Sequence, residues 1–129
     1  MTTIQIVPHK WRCVFATQKY NKDDLIEICE YIHIPQDQIA ILKKTVLNDY
    51  RFGRNWENDD AMLLLGNGSL YNHSKTPTMQ LYIDNQKNVW FIATRDIDRG
   101  EELTIDYGYD LHFQDIWDCQ IVKHISQNL

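Results

Sequence analysis

GNGSLYNHSKTP, residues 66–77, and RGEELTIDYGYD, residues 99–110, are the two stretches that decide the fold of this chain of 129 residues. The first places residues 72–74 (Asn-His-Ser) behind a turn bracketed by two glycines, and the second is an alternating strand that ends at Tyr107. Taken alone, the Asn-His-Ser triplet predicts only a turn in which Asn and Ser bond to their own backbone. Neither stretch identifies a chemistry by itself, so their order and spacing carry the prediction.

The composition fits a single domain. Of the 129 residues, 43% are hydrophobic, which is enough for one core, and we predict one domain over residues 1–129. The net charge of −5 argues against a protein that coats nucleic acid, because such proteins are usually basic. An acidic surface favours encounter with a basic partner such as a lysine-rich peptide. The simpler alternative is that this charge only keeps the protein soluble.

The cysteines and the N-terminus indicate where the protein works. Cys13, Cys29 and Cys119 are far apart and form no CxxC pair, so we expect neither a structural zinc ion nor any other metal. A disulfide scaffold is not expected either, which indicates a reducing compartment. The first residues, MTTIQIVPHKW, lack the apolar run of a signal peptide, and no stretch reaches transmembrane length. We therefore expect an intracellular protein of the cytoplasm or nucleus (a host cell's, if it is viral or a secreted effector), with no membrane contact.

Hydrophobic patterning predicts a mainly β protein with a few short helices. Strands are predicted at residues 3–7, 11–16, 24–34 with a possible bulge, 79–83, 89–93 and 102–107. Apolar residues three and four apart predict helices at 36–47 and 115–127. Residues 51–60 are polar and irregular, so we predict a loop there. For the apolar run 61–65, a strand and a buried helix both stay open.

Together the two quoted stretches resemble the motifs of SET-domain protein lysine methyltransferases. The resemblance covers roughly residues 3–113, and the small viral and bacterial members without flanking zinc-binding regions are nearest in outline. It implies the SET-domain, or β-clip, fold of small curved sheets. It also implies a C-terminal pseudoknot, in which the Asn-His-Ser segment passes under a loop formed by the second motif.

The resemblance implies transfer of a methyl group from S-adenosylmethionine to a lysine amine. Asn72 and His73 occupy positions that bind this cofactor, and a buried Asn offers it both a donor and an acceptor. Tyr107 aligns with the catalytic tyrosine in the pattern GEELTxDYG, and it would also contact the cofactor. The reaction is an in-line displacement, so alignment matters most, and a phenolic oxygen stabilises the partial positive charge of the methyl group. Phe113 is expected to lie against the adenine.

The chain departs from the family at its first motif. Relatives usually carry GxG before a strand resembling Val-Phe-Ala, whereas this chain has Trp11, Arg12 and Cys13 there. One interpretation is that Trp11 packs on the cofactor and Arg12 pairs with its carboxylate. The alternative is that Trp11 and Cys13 crowd the site and weaken binding. A smaller departure is Thr78, where relatives usually have Asn after Pro77.

The family also implies a narrow apolar channel that lowers the pKa of the incoming lysine by desolvation and by the nearby sulfonium charge. Tyr50 and Tyr109 are candidates for its aromatic walls, and ordinary packing is the alternative for each. Leu81 and Ile105 are the aliphatic residues predicted to line this channel. In many relatives an aromatic residue two before the catalytic tyrosine limits how many methyl groups the lysine accepts. Ile105 therefore predicts a roomier channel and higher methylation.

Two functions stay open at this stage. The first is an S-adenosylmethionine-dependent protein lysine methyltransferase that acts on a basic protein such as a histone. The second is a non-catalytic SET-like module that binds a peptide or protein, because of the substitutions at Trp11 and Cys13. Neither involves direct contact with nucleic acid. A homodimer that completes the peptide groove is a further expectation.

Overall fold

The computed structural model describes residues 2–7, 11–55, 60–84, 86 and 88–106. These residues form short strands and one α-helix, α1 (Gln36–Leu42). The strands are β1 (Thr2–Val7), β2 (Trp11–Ala16), β3 (Leu25–Ile34), β4 (Arg51–Asn55), β5 (Asp60–Leu64), β6 (Asn72–His73), β7 (Met79–Ile83), β8 (Asn88–Ala93) and β9 (Thr104–Ile105). The predicted helix at 115–127 lies outside the described residues. In the part of the chain that is described, no helix is long and apolar enough to cross a membrane.

The central sheet has five strands in the order β4-β5-β3-β8-β7, and its neighbouring strands are antiparallel. The last five residues of β8 are all buried, because β8 lies between β3 and β7 and its apolar run fills both faces. A register shift between Leu25 and Glu27 confirms the predicted bulge in β3. The prediction of a mainly β fold is likewise confirmed.

Two smaller sheets bring the quoted stretches together. β1 and β2 form an antiparallel pair, while β6 and β9 form a parallel pair. The other edge of β2 bonds to the segment that leads into β9, since Ala16 N donates to Glu101 O at 2.9 Å and Leu103 N donates to Val14 O at 2.7 Å. β2 therefore lies between β1 and the second quoted stretch.

The predicted helix at 36–47 is too long. α1 ends at Leu42, and a separate 3₁₀ turn spans Val46–Tyr50. Thr45 interrupts the helix, because its hydroxyl donates to Leu42 O at 2.8 Å and its backbone is extended. Val46, which the pattern assigned to the packed face, is 71% exposed.

The predicted loop at 51–60 is also wrong where the structure describes it. Residues 51–55 form β4, and β5 begins at Asp60. β4 is an edge strand whose Phe52 is buried and pairs with Met62 of β5. The sequence carries no period-two pattern there. The strand conformation therefore comes from pairing with β5 rather than from local alternation. The open case at 61–65 is resolved as a strand over Asp60–Leu64.

A half-buried carboxylate holds the turn that precedes β6. Tyr71 is fully buried, and its hydroxyl donates to Glu27 Oε1 at 2.6 Å, while Asn67 N donates to Glu27 Oε2 at 3.1 Å. The two glycines of the turn are required by this packing. A Cβ on Gly66 would lie 2.6 Å from Glu27 Oε2, and one on Gly68 would lie 2.7 Å from Leu64 Cβ. Burial and Glu27 together raise the pKa of Tyr71, so the phenol stays a donor.

Tyr71→Phe should lower the free energy of unfolding by about 1–3 kcal/mol, because Glu27 then loses a buried donor. Urea unfolding followed by circular dichroism measures this change. Glu30→Gln is the control, since Glu30 is an exposed carboxylate on the same strand and should change stability by no more than about 0.5 kcal/mol. Equal stability of Tyr71→Phe and the wild type would contradict a stabilising hydrogen bond between Tyr71 and Glu27.

Candidate functional site

The two quoted stretches meet in the parallel pair of β6 and β9. Asn72 lies opposite Thr104 and His73 opposite Ile105, and Ser74 N donates to Ile105 O at 2.9 Å. Strands of two residues have little stability of their own. This pair must therefore be held by side chains and by the neighbouring strands.

The Asn72 side chain supplies one such tie. Its Nδ2 donates to Arg12 O at 2.8 Å and to Glu102 Oε2 at 2.8 Å, and it also lies 3.4 Å from Cys13 Sγ. Both close partners are acceptors, so the amide orientation is fixed and its two hydrogens are used. Within the described residues, no donor is hydrogen-bonded to Asn72 Oδ1. The amide nitrogen thus joins β6 to β2 and to the segment that leads into β9.

A second tie joins Thr78 to β9. Thr104 N donates to Thr78 Oγ1 at 2.9 Å, and Thr78 N donates to Thr104 Oγ1 at 3.2 Å. Both threonines are buried. The departure from Asn at position 78 thus places a hydroxyl that bonds directly to the β9 backbone.

His73 presents its ring to solvent. Its side chain is 39% exposed, and Nδ1 lies 3.5 Å from Asp106 Oδ1. The backbone of His73, by contrast, belongs to the β6–β9 pair. Two carboxylates lie beside β6, since Glu102 accepts from Asn72 and Asp106 lies by His73. Among the described residues, no group of three His, Cys, Asp or Glu side chains could hold a metal ion.

Of the three first-motif residues, Arg12 and Cys13 have side chains that the structure describes. Cys13 is fully buried and free of disulfides, with its sulfur against the Asn72 amide. The Arg12 guanidinium, expected at the cofactor carboxylate, instead donates from Nη2 to Tyr50 Oη at 2.8 Å. The Trp11 backbone forms part of β2, while its side chain lies outside what the structure describes.

The predicted channel residues fall into two groups. Leu81 and Ile105 belong to the same buried core cluster, and they are 5% and 1% exposed. Tyr50 is half-buried at the end of the 3₁₀ turn and is joined to Arg12. The other predicted residues, Tyr107, Tyr109 and Phe113, lie outside the described residues.

Sequence reasoning missed Glu102. This residue accepts a hydrogen bond from Asn72 across 30 positions of sequence, and its backbone bridges to Phe15 of β2. The available signal was its place in the quoted second stretch, one position before the buried Leu103. A carboxylate on the outer face of an alternating strand gives no hint of its long-range partner.

The comparisons with known proteins agree with this geometry. Residues 11–108 match the SET domain family. The chain is 32% identical over 127 residues to the "Histone-lysine N-methyltransferase, H3 lysine-37 specific" of Schizosaccharomyces pombe, and the match covers 97% of this chain and 84% of that protein.

Solved structures resemble the fold as well. A Plasmodium falciparum protein described as a candidate histone methyltransferase superposes with a TM-score of 0.65 at 28% identity, covering 85% of this chain and 99% of that one. CpSET8 from Cryptosporidium superposes with a TM-score of 0.68 at 27% identity, covering 89% of this chain. The present chain spans 59% of that CpSET8 chain.

Asn72→Asp should reduce stability by on the order of 2 kcal/mol, because it places a carboxylate against the Arg12 carbonyl and the Glu102 carboxylate. Adding Glu102→Gln should restore part of the loss, since the Gln amide can donate to the new Asp. Thermal unfolding of the single and double variants measures both effects.

Asn48→Asp is the matched control for this substitution. Asn48 Oδ1 accepts from Arg51 Nε at 2.8 Å, so an Asp there keeps its acceptor and should not destabilise. An unchanged melting temperature for Asn72→Asp, or a double variant no more stable than the single one, would count against the arrangement at Asn72.

Proposed function

This chain belongs to the SET-domain family and is a protein-lysine N-methyltransferase, and we propose that it takes the methyl group from S-adenosylmethionine and acts on a histone. The observation that carries the proposal is the parallel pairing of Asn72 and His73 with Thr104 and Ile105. It assembles the cofactor motif beside the segment that leads into Tyr107.

The residues around Asn72 suit the cofactor. S-adenosylmethionine supplies an electrophilic methyl group on a positively charged sulfur. Asn72 would hold the cofactor through its amide oxygen, to which no described residue donates a hydrogen bond. His73 would hold the cofactor through its backbone. Glu102 and Asp106 give this edge negative charge, which complements a cation. Because the Arg12 guanidinium donates to Tyr50 from Nη2, we assign it to that contact rather than to the cofactor carboxylate.

The remaining steps concern the lysine. The amine must lose its proton before it can attack, and the apolar side chains of Leu81 and Ile105 favour the neutral form by excluding water. Tyr107 follows Ile105 by two positions, and we assign its phenolic oxygen to the alignment of amine and methyl group. Tyr109 and Phe113 keep their predicted roles in the channel wall and beside the adenine.

Two observations support a histone substrate: the net charge of this chain and the description of a relative. The net charge of −5 favours a lysine-rich partner, and the Schizosaccharomyces pombe relative is described as acting on histone H3. We also propose, from the sequence, that the protein acts inside a cell and that two copies associate. Light scattering measures the second point, since a dimer has twice the mass of one chain.

The wild type should bind S-adenosylmethionine in calorimetry and transfer a labelled methyl group to histone H3. Tyr107→Phe should lower the rate by about 100-fold or more with an unchanged circular dichroism spectrum, because one stabilising oxygen is lost. Tyr31→Phe is the control, since it also removes a tyrosine hydroxyl but at a residue of β3 that pairs with Leu64 of β5. Full activity of Tyr107→Phe would remove that tyrosine from its role. Absence of both binding and transfer would favour the non-catalytic module.

Mass spectrometry of the product should detect dimethyl- or trimethyl-lysine, because Ile105 is aliphatic where an aromatic side chain would restrict the channel. A peptide that already carries monomethyl-lysine should therefore be accepted as a substrate. Detection of monomethyl product alone, even at saturating cofactor and long times, would contradict a roomy channel.

A further inference from the structure

Arg12 connects the two halves of the site. Its backbone oxygen accepts from Asn72 Nδ2 at 2.8 Å, while its side chain donates to Tyr50 Oη at 2.8 Å. The guanidinium carbon also lies 5.6 Å from the centroid of the Tyr50 ring. One residue of β2 therefore contacts both the proposed cofactor asparagine and a proposed channel residue.

The contact between Arg12 and Tyr50 restricts the ring in two ways. The distance to the ring centroid lies within the range of cation–π attraction, which favours one orientation of the ring face. The hydrogen bond fixes the phenolic oxygen, and a charged donor makes such a bond stronger than a neutral one. Because Tyr50 accepts this bond, its own hydroxyl hydrogen points elsewhere and can donate to another group.

The turn that carries Tyr50 has few other anchors. No residue of the 3₁₀ turn Val46–Tyr50 is buried, and Val46 and Leu47 are 71% and 43% exposed. Asn48 bonds to Arg51, which is a local contact three residues away. Within the described residues, Arg12 is thus the long-range side-chain partner that fixes where Tyr50 lies.

We propose that Arg12 is a positioning residue that holds Tyr50 as a wall of the lysine channel, rather than a ligand of the cofactor carboxylate. This role rests on the proposed function, because it assumes that Tyr50 contacts the substrate lysine. It gives the residue between the two missing glycines of the first motif a task on the substrate side of the site. Loss of Arg12 should then impair peptide recognition and leave cofactor binding intact.

The test compares Arg12→Met, Arg12→Lys and Tyr50→Phe by two separate measurements. Calorimetry gives the dissociation constant of S-adenosylmethionine, and steady-state kinetics gives KM and kcat for a histone H3 peptide. Arg12→Met should raise the peptide KM about tenfold, the scale of one lost charge-assisted hydrogen bond, while the cofactor dissociation constant changes less than twofold. Arg12→Lys should recover part of the loss, because an ammonium still donates to the phenol.

The double variant Arg12→Met/Tyr50→Phe sharpens the assignment. If Arg12 acts through Tyr50, the two changes should not multiply, and the double variant should resemble Arg12→Met. Lys44→Met is the control, because Lys44 is an exposed cation that lies outside the turn Val46–Tyr50. It should change neither the KM nor the cofactor affinity.

The alternative results are distinguishable. A weaker cofactor affinity with an unchanged peptide KM in Arg12→Met would overturn the proposal in favour of a cofactor ligand. If the wild type is active and Arg12→Met changes neither the peptide KM nor the cofactor affinity, the positioning role alone is overturned. A wild type that transfers no methyl group would overturn the proposed function, and the channel role with it.

Discussion

The amide of Asn72 is the contact on which the site depends. Its nitrogen joins β6 to the backbone of β2 through Arg12 O and to the second quoted stretch through Glu102. β6 and β9 have two residues each, so backbone bonds between them cannot hold the pair alone. The amide nitrogen therefore ties three segments of the chain together at one point.

The position of Asn72 depends in turn on the core residues that hold Tyr71. Tyr71 is the residue before Asn72, and its ring packs at 4.9 Å from the Phe91 ring while its hydroxyl bonds to Glu27. Burial and the same carboxylate raise the pKa of Cys29 to about 12, which keeps that buried thiol neutral at physiological pH. Burying a polar group costs free energy unless it is hydrogen-bonded, and the bond of the Tyr71 hydroxyl to Glu27 meets that need while it holds the turn that precedes β6.

Sequence patterns predicted the strands whose conformation depends mainly on their own residues. The strands at β1, β2, β3, β7 and β8 followed from alternation and apolar runs, whereas β4 was missed because its conformation depends on its partner β5. Alternation predicted a strand at 102–107, which contains β9, whereas β6 has no periodic signal. The family resemblance rather than the pattern indicated that the two stretches meet. The contacts of Asn72 with Glu102 and of Arg12 with Tyr50 each join distant positions. Propensity and spacing cannot reveal such contacts, since they depend on the completed fold.

The side chains of Arg12 and Cys13 both fit the fold, although Cys13 stands where relatives have the second glycine of the first motif. Asn72 bonds to the carbonyl of Arg12, and every residue type offers the same carbonyl, so a side chain at that position does not remove this contact. Cys13 is fully buried, so its side chain is enclosed by the protein rather than exposed at the surface. The Arg12 guanidinium is engaged by Tyr50. A short side chain at position 12, between the two missing glycines, would keep the Asn72 bond but leave Tyr50 without this anchor, which is a physical reason for a long cationic side chain there.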